Sequence, residues 1–261
     1  MTRQMQKKIL ILALFAGETM MKSGAEIYRV EDTVERICKA ANLPFVEVFA
    51  IPTGIFVSID QGDENGEMHT YIKRIRGAGI DLGRISELNQ FSRDFVSTDL
   101  TVDSGMNWIK QISKAKPYPL LYRIAGAALA SSFFCLIFGG NLKDYICAFF
   151  AGGLSYLLSS LFDEMETNFF IKGFCCCALA TILALVCTAL GLGTSSSAII
   201  IGALMIFVPG VAITNAIRDM LAGDMLAGIV RLAEAFCIAI SLAAGAGVIL
   251  RLWVAFGGHI L

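Results

Sequence analysis

The feature that most constrains this chain of 261 residues is the series of long apolar stretches that follows residue 120. An α-helix needs about 20 apolar residues to cross a hydrocarbon core of about 30 Å. We place five such stretches, over residues 120–138, 145–162, 169–190, 198–213 and 226–250. The fourth is short, as expected of a broken helix. Residues 117–261 are therefore predicted to form an all-α polytopic membrane domain of about five transmembrane helices.

The charged residues are concentrated before these stretches. Residues 1–120 carry 30 Asp, Glu, Lys and Arg residues, whereas residues 121–261 carry 13. This distribution predicts a water-exposed domain followed by a membrane domain. A net charge of -1 provides no basic surface for nucleic acid, so we expect no nucleic-acid partner.

Residues 1–116 are predicted to form a cytoplasmic α+β domain of helices and one β-hairpin. Helical periodicity runs from residue 9 to about 41, with a bend at Gly17 or at Ser23-Gly24, and returns over 81–96 and 100–115. Two runs rich in β-branched and aromatic residues, 46–60 and 68–76, flank the turn-like segment QGDENGE and predict the hairpin.

Proline residues mark two positions in this first domain. Pro52-Thr53-Gly54 interrupts the first β-type run and indicates an edge position or a bulge, because proline cannot donate to a strand ladder. Lys116-Pro117-Tyr118-Pro119 stops any helix and marks the linker to the membrane domain.

Basic residues favour one orientation in the membrane. Lys110, Lys114, Lys116 and Arg123 flank the first apolar stretch. Because cytoplasmic loops carry an excess of Lys and Arg, this placement predicts a cytoplasmic N-terminal domain. We therefore expect a multi-pass protein of the cell inner membrane.

The stretch over residues 201–235 combines a helix break with charges near membrane depth. Pro209-Gly210 interrupts an apolar helix. The polar residues that follow are Asn215, Arg218, Asp219, Asp224, Arg231 and Glu234. Charges at such depth usually face a protein interior or a water-filled path, and transporters build binding sites at broken helices. This stretch is our candidate substrate or ion path.

The side chains of this stretch suit two tasks. The guanidinium of Arg218 can donate two parallel hydrogen bonds to a solute carboxylate. Asp219, Asp224 and Glu234 are candidate proton carriers, since burial raises the pKa of a carboxyl group. An equally supported alternative for Asn215, Arg218, Asp219 and Asp224 is a short cytoplasmic loop with ordinary interfacial charges. Arg231 and Glu234 are three residues apart on one helix face, and a mutual neutralisation of this pair is also open.

The first domain contains further charged and nucleophilic residues. Glu26 with Arg29, and Glu31 with Arg36, are near helical spacing, and the residues alone favour surface pairs over a face that docks on the membrane domain. Ser23 lacks a suitably placed histidine base, so we expect no catalysis. Cys175-Cys176-Cys177 point in different directions on a helix, so we expect no metal site and no cofactor.

Two segments carry a resemblance to a known family. MKSGAEIYRVEDTVERICKAANL, with the FAIPTGIFVSI run and the YIKRIR strand, resembles the cytoplasmic domain of the threonine/serine exporter family. FVPGVAITNAIRDMLAGDMLAGIVRLAEA resembles the membrane signature of the same family. The likeness extends from about residue 9 to residue 251. The chain resembles the first half of the fused exporters, or the larger, YjjP-like subunit of the split form. The end of the chain at Leu261 favours the split form.

The resemblance implies a role for particular residues. In the cytoplasmic domain the matching positions are Ser23, Gly24, Glu26, Arg29, Glu31, Arg36, Pro52, Thr53 and Gly54. In the membrane domain they are Pro209, Gly210, Asn215, Arg218, Asp219, Gly223, Asp224, Gly228 and Arg231. It also implies a smaller, multi-span YjjB-like partner subunit and export of threonine and serine or of succinate-type dicarboxylates.

Together these observations predict one subunit of a proton-coupled secondary transporter that exports small hydrophilic metabolites. We also expect an oligomer. Two alternatives from other classes stay open: a membrane-embedded regulatory or assembly subunit with a sensing cytoplasmic domain, and a membrane hydrolase that uses Ser23.

Overall fold

The structure is a computed structural model that describes residues 3–41, 43, 45–60, 68–77, 79–98 and 100–258. Its elements in chain order are α1 (Arg3–Lys22), α2 (Ile27–Ala40), β1 (Phe45–Ile51), β2 (Gly54–Asp60), β3 (His69–Arg74), α3 (Leu82–Ser97), α4 (Val102–Lys114), α5 (Leu120–Ile137), α6 (Leu142–Glu164), α7 (Phe169–Ala189), α8 (Ser196–Leu204), α9 (Gly210–Ala222) and α10 (Met225–Ala255).

The chain divides into two compact units. The first, which we call the mixed unit, contains Met1–Lys116 together with Val211–Leu232. The second, which we call the helical unit, contains Pro117–Gly210 together with Ala233–Leu261. Most of α9 and the first part of α10 therefore belong to the mixed unit.

Helices α1 and α2 form the core of the mixed unit. The apolar residues Ile27, Val30, Val34 and Ile37 follow each other at intervals of three or four and are fully buried, as the helical period requires. They belong to one core with buried residues of α1 such as Met20. The long helical segment predicted over residues 9–41 is divided between Lys22 and Ile27, so the predicted bend at Ser23-Gly24 is confirmed as a helix break.

The sheet has three antiparallel strands in the order β1-β2-β3. The predicted pairing across the QGDENGE segment is confirmed as β2 with β3, but the prediction of one hairpin is wrong because β1 and β2 form a second. Ile51 pairs with Gly54, which makes Pro52 and Thr53 the two-residue turn of a first hairpin. Proline fixes the φ angle that a turn requires and lacks the N–H that a strand would use. Pro52 therefore lies in a turn and not at an edge position or a bulge. The QGDENGE segment lies outside the described residues.

Helices α3 and α4 complete the mixed unit, close to their predicted bounds. The helical period predicts one apolar stripe on α3, formed by Leu82, Ile85, Leu88, Phe91 and Phe95. The last four are buried, whereas Leu82, at the start of the helix, is 63 % exposed. The ring of Trp108 on α4 meets the ring of Phe91 edge-on, with 5.5 Å between their centroids.

Within the described residues, four helices are long and apolar enough to cross a membrane: α5, α6, α7 and α10. They correspond to four of the five predicted spans. The remaining span, 198–213, is divided between α8 and α9, which have 9 and 13 residues. The chain leaves helical geometry between Leu204 and Gly210, so the break predicted at Pro209-Gly210 is confirmed.

Close packing in the helical unit depends on small side chains. A Cβ atom at Gly202 of α8 would lie 2.6 Å from the Ser131 carbonyl oxygen of α5 and 2.8 Å from Cys135. Because such distances are too short for any side chain, glycine lets these two helices approach.

Candidate functional site

The break between α1 and α2 is the structural centre of the candidate site, and it lies within the mixed unit. Gly24 has a φ of 83°, which favours glycine. A Cβ atom there would also lie 2.8 Å from the Gly79 carbonyl oxygen. The segment before α3 holds the break in place: the Gly79 N–H donates to the Lys22 carbonyl at 2.9 Å, and the Asp81 N–H donates to the Ser23 carbonyl at 3.0 Å.

Polar side chains of α9 and α10 complete the hydrogen bonds of this break. Asn215 Nδ2 donates to the Gly24 carbonyl at 2.9 Å, and Arg231 Nη2 donates to the Ala25 carbonyl at 2.6 Å. The Ile27 N–H donates to Asp219 Oδ1 at 3.0 Å.

Asp219 therefore caps α2 from a distant part of the chain. The first N–H groups of a helix lack partners within the helix, and Glu26, the N-cap residue, makes no side-chain cap. The Asp219 carboxylate supplies the acceptor, and a negative charge at a helix N-terminus is also favoured by the helix dipole. Asp219 itself is fully buried.

Two ion-paired groups surround this cap. Glu26, whose side chain is 8 % exposed, pairs with Arg218 and lies 3.2 Å from Arg29 Nε. Asp219 Oδ2 lies 3.3 Å from Arg231 Nε but has no hydrogen-bond partner among the described residues. The surface pair predicted between Glu26 and Arg29 exists, yet Glu26 is buried and shared with Arg218.

Exposure divides the three arginines of the centre. The Arg218 and Arg29 side chains are 48 % and 38 % exposed, whereas the Arg231 side chain is 12 % exposed. Arg218 and Arg29 are therefore open to solvent, and Arg231 contacts the Ala25 carbonyl and Asp219.

Two more carboxylates lie close to these pairs. Glu31 Oε1 accepts the Ala50 N–H of the edge strand β1 at 2.7 Å. Burial raises the pKa of Glu31, the Ala50 hydrogen bond lowers it, and the nearby charges of Asp224 and Asp219 raise it further. Burial also raises the pKa of Asp224. For Asp219, burial raises the pKa, while Arg231 and the Ile27 hydrogen bond oppose the rise.

The structure thus brings together Gly24, Glu26, Arg29, Glu31, Asn215, Arg218, Asp219, Asp224 and Arg231. We call these nine residues the polar centre. Members of the N-terminal motif and of the predicted path, about 190 positions apart in sequence, are direct partners.

Other predicted site residues have different surroundings. Ser23 Oγ donates to the Thr19 carbonyl at 2.8 Å. Arg36 pairs with Asp32 on the surface of α2 at 2.5 Å, and not with Glu31. The Thr53 carbonyl of the β1–β2 turn accepts the Ile75 N–H at 3.0 Å.

Residues flanking α9 and α10 fill structural positions. Pro209 and Gly210 lie where the chain enters α9. Gly223 has a φ of 102° between α9 and α10, and a Cβ atom at Gly228 would lie 2.7 Å from the Ala216 carbonyl oxygen. Glu234 belongs to the helical unit and is exposed.

The sequence reasoning did not identify Asp144, which is buried in the helical unit. Its carboxylate accepts the N–H groups of Thr194 at 2.6 Å and Ser195 at 3.1 Å, and Thr194 Oγ1 at 2.8 Å. It also forms a capping box with Asn141. The Asn-x-x-Asp spacing was a local signal for the capping box, but nothing local indicated the contact with Thr194.

Within the described residues, no group of three His, Cys, Asp or Glu side chains is arranged to hold a metal ion. The polar groups of the polar centre are carboxylates, which accept hydrogen bonds, and guanidinium groups and backbone amides, which donate them. They suit the binding of carboxylates and protons.

The four long apolar helices are typical of a multi-pass membrane protein. The family model described as putative threonine/serine exporter matches residues 11–253. The chain therefore belongs to that family, whose description is that of a transport protein.

Curated relatives carry two kinds of name. A "Probable threonine/serine exporter" of Mycobacterium tuberculosis is 24 % identical over 94 % of this chain and 46 % of its own length, so this chain spans about half of that relative. A "Probable succinate transporter subunit YjjP" is 22 % identical in Klebsiella aerogenes, over 95 % of each chain. The protein of that name in Escherichia coli is 22 % identical over 97 % of this chain and 98 % of its own. No solved structure matches the chain.

Proposed function

We propose that this chain is one subunit of a secondary transporter that exports small hydrophilic metabolites, either threonine and serine or succinate-type dicarboxylates. Its partner would be a smaller, multi-span YjjB-like subunit in the cell inner membrane, with the mixed unit's N-terminal residues in the cytoplasm. The names of the relatives support both solute classes, because this chain resembles the exporter and the succinate transporter subunit to a similar degree. Both classes carry a carboxylate.

The observation that carries the proposal is the ion pair between Arg218 and Glu26. Arg218 is half-exposed and Glu26 is buried, so a solute carboxylate can approach the guanidinium from the exposed side. A guanidinium has a planar fork of donors that suits a carboxylate. In our proposal the solute carboxylate competes with Glu26 for Arg218, and Arg29 retains Glu26 when the solute is bound.

We assign the coupling proton to Asp224 in preference to Asp219 and Glu234. Asp219 is committed to the α2 cap and to Arg231, and the Glu234 side chain is exposed. Asp224 is half-buried at the start of α10, and burial raises its pKa. A raised pKa brings a carboxyl group toward the range in which it gains and loses protons during transport.

The test is solute counterflow in proteoliposomes that contain this chain with and without its proposed partner. Labelled threonine, serine and succinate are compared. We expect exchange of one solute class when both chains are present, and loss of that exchange in an Arg218→Ala variant. Arg36→Ala is the matched control, because Arg36 is a surface arginine paired with Asp32. Normal exchange by a folded Arg218→Ala variant would refute the solute role of Arg218.

A second measurement separates solute binding from proton coupling. Counterflow needs no proton gradient, whereas gradient-driven uptake does. An Asp224→Asn variant should therefore keep counterflow and lose gradient-driven uptake, and an Asp32→Asn control should keep both. Unchanged gradient-driven uptake would remove Asp224 from the proposal.

The regulatory alternative has its own support in the polar centre, since hydrogen bonds from α9 and α10 to the α1–α2 break could couple a sensing domain to transport. Normal export by the smaller subunit alone would favour that alternative.

A further inference from the structure

The outer face of the three-stranded sheet carries an exposed apolar row. Phe49, Phe56 and Ile72 lie side by side on β1, β2 and β3 in one row of the strand register. The centroids of the two phenylalanine rings are 6.0 Å apart. Phe49 is 54 % exposed and Ile72 is 68 % exposed.

The opposite face of the sheet already belongs to the core of the mixed unit, with Ala50, Ile55 and Val57 buried. An antiparallel sheet with one buried face usually has a polar outer face. The row of Phe49, Phe56 and Ile72 departs from that pattern. A contiguous exposed apolar patch marks a surface that binds a protein, a membrane or a ligand, and the charges beside this row favour a protein.

Two opposite charges flank this row at diagonal corners of the face. Glu47 lies on β1, two residues before Phe49, and Arg74 lies on β3, two residues after Ile72. Two strand spacings and four residues separate them, so their backbones are about 16 Å apart. They are therefore too far apart to pair within one chain. Lys39 of α2, which also lies near Glu47, has its own ion pair with Glu35.

This diagonal arrangement is self-complementary. A two-fold axis that runs above Phe56, parallel to the sheet and perpendicular to the diagonal, exchanges the two corners. It brings Glu47 of each copy onto Arg74 of the other, with the strands of the two copies crossing steeply as in orthogonally packed sheets. The two apolar rows then cross at Phe56. A two-fold interface uses the same patch on both copies, and the charges of this patch meet that condition.

We propose that the outer sheet face, defined by Glu47, Phe49, Phe56, Ile72 and Arg74, is the interface with a second copy of this chain. The face measures about 14 Å by 20 Å, from three strands and six residues. That is less than the roughly 800 Å² per partner of a standard interface. The contact is weak by itself, and it forms because two chains in one bilayer have a high effective concentration, as tethered modules do.

Disulfide cross-linking of the full chain in native membranes tests the interface. The parent carries Cys237→Ser, because Cys237 is the exposed thiol among the described cysteines. Phe56→Cys places a thiol on the proposed two-fold axis, and Gln111→Cys places one on the exposed surface of α4 as a control. After mild oxidation we expect several-fold more covalent dimer from Phe56→Cys than from Gln111→Cys. Equal yields would overturn the proposal.

Charge exchange supplies an independent test in the Phe56→Cys background. Glu47→Lys and Arg74→Glu should each lower the dimer yield, because like charges then face each other twice. The double variant Glu47→Lys/Arg74→Glu should restore the yield, since opposite charges meet again. Failure of the double variant to restore it would overturn the two-fold arrangement. Protection of the Phe56→Cys thiol from a water-soluble maleimide without dimer formation would overturn it as well, by indicating a different protein on this face.

Discussion

Removing the Asp219 carboxylate should destabilise the mixed unit strongly. The side chain is fully buried. In an Asp219→Ala variant the Ile27 N–H loses its acceptor, and the largely buried Arg231 loses its counter-charge. Arg231 keeps its hydrogen bond to the Ala25 carbonyl. A buried cation without a partner is the larger of the two penalties.

The size of the effect follows from these two losses. Removing one partner of a buried ion pair costs about 3–5 kcal/mol, and the loss of a helix cap about 1 kcal/mol. The two overlap here because one carboxylate makes both contacts, so we expect about 3–4 kcal/mol for Asp219→Ala. At about 2–4 °C for each kcal/mol, the unfolding temperature should fall by roughly 6–16 °C. Asp219→Asn keeps an oxygen for Ile27 and should lose about half as much.

Thermal unfolding of the purified full chain in detergent measures this effect. Trp108 packs in the mixed unit, so its fluorescence reports on that unit when Trp253 is replaced by phenylalanine. Asp32→Ala is the matched control: its exposed pair with Arg36 on α2 is worth about 0.5 kcal/mol at most. An Asp219→Ala variant that unfolds within about 2 °C of its parent would refute the reasoning.

Three further predictions concern other positions. Gly24→Ala should lower the unfolding temperature, because Gly24 has a positive φ and its Cβ would meet the Gly79 carbonyl; a Gly77→Ala control, with open space around its Cβ but also a positive φ, isolates the clash. The pKa of Glu31 is raised in the folded state. Folding stability is therefore lost as pH rises from the ordinary glutamate pKa through this raised pKa, because Glu31 ionises less readily in the folded than in the unfolded chain. The unfolding temperature of a Glu31→Gln variant should therefore equal or exceed that of its parent at pH 7, and the difference should vanish toward acid pH. A lower unfolding temperature than the parent's at pH 7 would contradict this. Asp144→Ala should destabilise the helical unit by about 2–4 kcal/mol, because several buried donors lose their acceptor; unchanged resistance to proteolysis would argue against that.

Much of the local structure could be predicted from the sequence. Helical periodicity located α3 and α4, and the conformational limits of Gly24 and Pro209 located two helix breaks, because each of these signals depends on neighbouring residues alone. The segment 46–60 was misread as one strand. Both of its halves have strand-forming residues, and the turn between them contains only Pro52 and Thr53. A turn of two residues changes the residue composition of a β-type run so little that the run still resembles one strand.

The pairings in the polar centre could not be predicted in the same way. The residue types were recognised, since Arg218 and Asp219 are unusual in an apolar region. Their partners, Glu26 and the Ile27 N–H, are 192 positions away, and no periodicity relates segments so distant. The Ile27 and Ala25 contacts also involve backbone groups, which every residue possesses. Only the fold determines which backbone groups need a partner.

The charges of the polar centre connect its structure to the proposed proton coupling. Four carboxylates (Glu26, Glu31, Asp219 and Asp224) lie among the guanidinium groups of Arg29, Arg218 and Arg231. With every group ionised, one negative charge is left without a counter-charge. Glu26 and Asp219 are held by arginines, so the excess charge falls on Glu31 and Asp224, whose pKa values are raised. One proton shared by these two neutralises the centre.

A solute carboxylate that takes Arg218 from Glu26 adds one negative charge, and a proton bound at the same time compensates it. Solute and proton binding are therefore expected to favour each other, which is the coupling that the Arg218 and Asp224 variants test.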